Sequence, residues 1–104
     1  MNLGNVIYIA GPMKGYRGFN RDAFSRAEKE LRDHGWKVLN PGILPLDLPG
    51  SAYMPICLAM LREANAVYML RDWEYSEGAA LEHAYAEKTE KAIIYETGNR
   101  HAPD

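Results

Sequence analysis

At 104 residues the chain has the size of one domain, since single cores usually organise about 100–150 residues. Its 47% hydrophobic and 25% charged residues are an ordinary globular composition, and a net charge of −2 argues against a nucleic-acid polymer as partner while leaving small anions open. A single cysteine, Cys57, excludes an intramolecular disulfide, and no Cys/His cluster has zinc-like spacing, so neither a metal nor another cofactor is expected. No apolar run approaches the roughly 18 residues of a membrane span, and the opening residues carry no basic leader, so the expectation is a cytoplasmic protein with no membrane partner.

Along the chain, Val6 to Ala10 is a short apolar run stopped by Gly11-Pro12, the pattern of a buried parallel strand. A loop, GPMKGYRG, follows. Asn20 reads as an N-cap with Asp22 in the first turn, and Ala23, Phe24, Ala27 and Leu31 recur at helical spacing up to the stop at Gly35. Trp36 to Leu39 predicts a second strand, closed by Asn40-Pro41-Gly42. Ile43 to Tyr53, with Pro45, Pro49 and Gly50, reads as loop, and a second helix is expected from near Pro55 to about Ala64. Ala66 to Leu70 is the third strand and Arg71 to Tyr75 a loop. Ser76 caps a third helix reaching about Glu90, and Ala92 to Tyr95 is the fourth strand.

This order predicts one α/β domain over residues 1–96, Rossmann-like or flavodoxin-like, with a four-stranded parallel sheet flanked by three helices, and a polar tail over 97–104. Ligands of such sheets bind beyond the carboxyl ends of the strands, at the switch in strand order. The loops after strands one and three are therefore expected to meet in one crevice.

Two segments there bear chemistry. In Gly11-Pro12-Met13-Lys14-Gly15 the glycines would let backbone N–H groups approach an anion, with Lys14 or Arg17 adding charge; a plain tight turn is the alternative. In Ser76-Glu77-Gly78-Ala79-Ala80-Leu81-Glu82, a helix N-terminus capped by Ser76 is a phosphate site. Glu82 lies about 9 Å further along the axis, and Gly78, one turn before it, leaves room between the two. A 5′-phosphate at the cap would hold a sugar with its anomeric carbon near Glu82. The alternative is a capped helix whose glutamates are merely solvated.

The set Tyr8-Ile-Ala-Gly11-Pro-Met, Asn20, Asn40-Pro41 and Trp73-Glu-Tyr-Ser76-Glu-Gly78-Ala-Ala-Leu-Glu82 resembles the nucleoside 2-deoxyribosyltransferase superfamily, in particular a small bacterial and phage branch of uncharacterised domains. The serine-glycine-glutamate spacing is also similar to that of the 2′-deoxynucleoside 5′-monophosphate N-hydrolases. The resemblance covers roughly residues 5–95. It implies Glu82 as a nucleophile forming a deoxyribosyl ester and Tyr8 as the residue orienting it. Ser76, Gly78 and the Gly11–Gly15 loop, with Pro12, Met13 and Lys14, would hold the 5′-phosphate of a small-molecule nucleotide. It further implies a homo-oligomer. Where relatives carry an aspartate in the second helix this chain has Cys57, which has no carboxylate chemistry to offer. Asn65 stands where they commonly have an aspartate before strand three.

N-glycosidic cleavage passes through an oxocarbenium-like state, which a carboxylate under the ring stabilises or captures. Asp47, Asp72 and Glu74 are candidates to assist the leaving base. Trp73, flanked by Asp72, and Tyr75 either stack on that base or pack over the sheet edge. His83 follows Glu82, but neighbours on a helix point apart, so no Glu–His dyad is expected. Hydrolysis, base transfer, nucleotide binding without catalysis and a purely structural role remain distinct readings.

Overall fold

Strand β1 (Val6–Ala10) forms because it is apolar on both faces: Ile7 and Ile9 alternate with Tyr8 and Ala10, and all four are buried. The computed structural model describes residues 5–97. Over these the chain continues as α1 (Arg21–Asp33), β2 (Lys37–Leu39), α2 (Gly50–Arg62), β3 (Ala66–Met69), α3 (Glu77–Lys88) and β4 (Ala92–Tyr95). The four strands make one parallel sheet in the order β2-β1-β3-β4, as the alternation of strands and helices predicts. Tyr8 lies between Leu39 and Val67 in the register, so β1 and β3 form the sheet's centre. The chain moves from β1 outward to β2, then returns to the other side of β1. The switch in strand order therefore falls at the carboxyl ends of β1 and β3.

Two cores result, one per face. Ile7 and Ile9 pack with Phe24, Ala27 and Leu31 of α1. Tyr8 and Ala10 face the opposite way, into a core with Cys57 and Leu61 of α2, Val67 and Met69 of β3, and Ala79 and Ala86 of α3. The two-residue period of β1 thus sends Tyr8 to the side where α3 runs.

Three sequence expectations need correction. The second helix begins at Gly50, five residues before Pro55, which sits inside it. Proline there removes a single backbone donor near the helix start, and the Tyr53 hydroxyl, donating to Pro45 O and accepting the Leu48 N–H, ties down the turn that precedes it. Asn20 occupies the N-cap position of α1 in a left-handed conformation (φ 64°), and its side chain caps nothing. Its amide donates to the Pro12 carbonyl at 2.8 Å instead, tying the loop after β1 to α1. Trp36 precedes β2, which is three residues long and ends in a turn braced by the buried Asn40, whose Oδ1 accepts the Gly42 N–H at 2.7 Å. Of the expected tail, residues 98–104 lie outside the described residues.

Candidate active site

Tyr8 points from the middle of the sheet towards α3, and its hydroxyl donates a 2.7 Å hydrogen bond to Glu82 Oε2. Both side chains are buried, Tyr8 at 1% and Glu82 at 5% exposure. An ionised carboxylate in so dry a place is unfavourable, and burial pushes Glu82 from its ordinary 4.5 up to about 7, against the opposing effect of the Tyr8 hydrogen bond. Tyr8 is raised well above 10, by burial first and by the adjacent Glu82 second, so it remains a donor. Cys57 lies beside the pair; burial raises its thiol, and it is neutral near pH 7.

Glu82 and Tyr8 form part of the wall of a cavity of about 690 Å³ at the carboxyl ends of β1 and β3. The loop after β1 contributes Gly11, Pro12, Met13 and Lys14. From the start of α3 come Ser76, Glu77, Gly78 and Ala79, and from α2 come Tyr53, Met54 and Cys57. The loops after β1 and β3 meet here as the strand order requires.

The amino end of α3 is built as its sequence suggests. The Ser76 hydroxyl accepts the Ala79 N–H at 3.2 Å, and the Ser76 carbonyl takes that of Ala80. The N–H groups of Glu77 and Gly78 make no hydrogen bond among the described residues and open on the cavity wall. Lys14 is exposed at the same cavity and, among the described residues, is its one cationic side chain. Backbone donors, a helix dipole and a lysine at one end, with a buried carboxylate one turn further along α3, can hold an anion and set an electron-rich oxygen about 6 Å along the helix axis from Gly78.

Two glycines differ in what surrounds them. At Gly11 a Cβ would lie 2.7 Å from both Cβ and Cδ1 of Leu70, so glycine is required by the approach of β1's end to β3's end. At Gly78 a Cβ would meet only the Met54 methyl, at 3.3 Å, so the space above Glu82 is partly filled by Met54.

The remaining expected residues separate. Gly15 is exposed with φ +87°, a turn position outside the cavity. Asp47 is exposed; its neighbours Leu46 and Leu48 line the cavity and it does not. Asp72 starts a 3-10 turn in a left-handed conformation, also away from the cavity. Trp73 stacks on His83, ring centroids 4.1 Å apart, is half-buried there and does not line the cavity. The His83 ring also meets the Tyr95 hydroxyl at 2.7 Å, which turns it away from Glu82. Tyr75, by contrast, is 86% exposed at the cavity mouth. Asn65 serves the sheet: its Oδ1 accepts the Val6 N–H at 3.2 Å. Among the described residues no group of three or more His, Cys, Asp and Glu side chains is placed to hold a metal, and no helix is long and apolar enough to cross a membrane.

Sequence reasoning missed the residues that close the cavity: Tyr16 and Phe19 on one side, Leu46, Leu48 and Tyr53 on the other. Their signal was faint. In LPLDLPG the leucines alternate with turn residues, but Pro45, Pro49 and Gly50 rule out a strand, and only leucines placed in a loop hint at a ligand wall.

Fold and site together define a parallel α/β domain with a protonatable glutamate at its topological switch point. The family model described as a domain of unknown function (DUF4406) matches residues 5–95, and the chain belongs to that family. No curated protein matches it.

Proposed function

We propose that this protein is a cytoplasmic enzyme related to the nucleoside 2-deoxyribosyltransferases, and that it cleaves the N-glycosidic bond of a nucleoside 5′-monophosphate with Glu82 as nucleophile. The observation that carries the reading is the buried Tyr8–Glu82 pair in the wall of a cavity whose other end is the open amino terminus of α3. The phosphate sits on the N–H groups of Glu77 and Gly78 with Lys14 beside it, which sets the sugar's anomeric carbon over Glu82. A Glu82 carboxylate oxygen bonds to that carbon as its bond to the base nitrogen breaks. The electron pair leaves with the base, which takes a proton from solvent. Water then attacks the anomeric carbon of the ester, releasing the sugar phosphate and the Glu82 carboxylate, while the water's second proton passes to solvent. A second base in place of water gives transfer. Tyr8 holds one carboxylate oxygen and leaves the other for attack.

Chromatography of free base from a panel of deoxynucleotides and ribonucleotides tests this. Base release by the wild type that is lost in Glu82→Ala is the expected result; release that persists in Glu82→Ala overturns the nucleophile. A second reading, nucleotide binding without catalysis, is favoured by Cys57, which puts a neutral thiol beside the pair where a second carboxylate would assist the reaction. Binding without release in long incubations selects it. Assembly into a homo-oligomer accompanies either reading, with Tyr75 and Tyr95 left exposed near the α3 side for a neighbouring copy to cover. A monomer by sedimentation at all concentrations would remove that element.

A further inference from the structure

The segment Tyr16-Arg17-Gly18-Phe19-Asn20 carries a backbone that its sequence does not favour. Gly18, Phe19 and Asn20 are all left-handed, at φ 58°, 57° and 64°. Glycine adopts this freely and asparagine tolerates it, but phenylalanine does not. Hydrogen bonds on both sides impose it: Phe19 N–H to Tyr16 O at 2.9 Å, Tyr16 N–H to Met13 O at 3.1 Å, and the Asn20 amide to Pro12 O. Packing does not repay the strain, because Phe19 remains 37% exposed. What the conformation achieves is to place an aromatic ring in the cavity wall, with Leu46 and Leu48 also lining the cavity.

The cavity is also notable for the polar groups its lining omits. Among the described residues no Asn, Gln, Asp, Arg or His side chain lines it, and the hydroxyls of Tyr16 and Tyr75 lie at its exposed side. The Tyr53 hydroxyl is occupied, donating to Pro45 O at 2.6 Å and accepting the Leu48 N–H at 3.3 Å, and that of Tyr8 is held by Glu82. The amide and guanidinium forks that recognise a base by its edge have no counterpart here. With phosphate and sugar assigned to α3, the apolar remainder of the cavity is where a planar base fits.

We propose that Phe19 holds the base of the bound nucleotide by stacking on its face, and that the site accepts different bases because, among the described residues, no amide or guanidinium side chain lines it to read their edges. This rests on the nucleotide assignment above and deepens it. Every base has an aromatic face, so such a grip is tolerant of base identity.

Calorimetry with the four common deoxynucleoside 5′-monophosphates, on wild type, Phe19→Leu and Phe19→Trp, tests it. Leucine keeps the apolar bulk and loses the ring. Loss of one stacking contact predicts affinity about 5- to 150-fold weaker for all four nucleotides in Phe19→Leu, wild-type affinity in Phe19→Trp, and unchanged Tm in both. Wild-type binding in Phe19→Leu, equal loss in both variants, or loss accompanied by a fall in Tm overturns it. So does a wild-type preference for one base of more than about 100-fold, the mark of edge recognition. Nucleotides bound but never cleaved would end the glycosidase reading alone and leave the stacking role standing on the binding data. No nucleotide binding by the wild type would end both.

Discussion

Replacing Glu82 by glutamine should stabilise the fold, and only where the carboxylate would be ionised. In the folded chain Glu82 is raised from 4.5 to about 7, so the folded state binds a proton that the unfolded state has released across that window. Stability is therefore fully present below about pH 4.5 and is lost as pH rises through about 7. At 1.36 kcal/mol for each tenfold change, the loss is about 3 kcal/mol by about pH 8. The Glu82→Gln variant has no such loss. Any fixed cost of its amide in the pocket is the same at every pH, and other titrating groups cancel between the two proteins. Urea unfolding of both from about pH 4 to 8 should show the difference in unfolding free energy shifting by about 3 kcal/mol in favour of Glu82→Gln. For a domain of this size that is on the order of 10–20 °C in Tm at the alkaline end, in a variant that releases no base. A difference that stays flat with pH would mean that Glu82 is not held protonated by burial and would refute the reasoning.

Tyr8→Phe removes the hydrogen bond that favours ionised Glu82, so the acid limb of the rate–pH profile should move above about 7 with a lower rate at neutrality; an unmoved limb counts against the pairing. Gly11→Ala forces a methyl against Leu70 at 2.7 Å and should cost about 1–3 kcal/mol of unfolding free energy by denaturant titration. Ser76→Ala should lose about 1 kcal/mol through the cap, whereas Ser76→Gly should lose only a few tenths. Competition by inorganic phosphate tests the anion site: both variants keep the Glu77 and Gly78 donors and should keep most of its inhibition, whereas Lys14→Ala should weaken it.

The sheet was legible because each strand is a short apolar run between turn residues and each helix but one has its own boundary signals. The Ser76 cap and the Glu82 register follow from local spacing alone, and Ser76 does cap α3. The start of α2 was hidden because Pro49, Gly50 and Pro55 all read as breakers, while the Tyr53 hydroxyl, bonded to the Pro45 carbonyl and the Leu48 N–H, ties down the turn before Pro55 only in the folded chain. Asn20 misleads for a related reason. Its preference for capping is real, but the Pro12 carbonyl offers a partner that only the folded chain brings near. Trp73 and Asp47 sit beside cavity residues in sequence and miss the cavity, because Trp73 packs on His83 across α3 and Asp47 points out between two leucines that do not. Lining residues without a periodic or motif signal, such as Tyr16 and Phe19, emerge only once strand order has brought the loops together.

Tyr8 and Glu82 are 74 residues apart, and each is buried with the other as its polar partner. During synthesis the tyrosine is therefore made long before the glutamate, and its hydroxyl lacks its carboxylate partner until α3 arrives. The contact that orients the proposed nucleophile also completes the core on that face. A chain ending before α3 would lack the carboxylate and leave the Tyr8 hydroxyl only the Cys57 thiol beside it, so completion of this core and assembly of the site depend on the same contact.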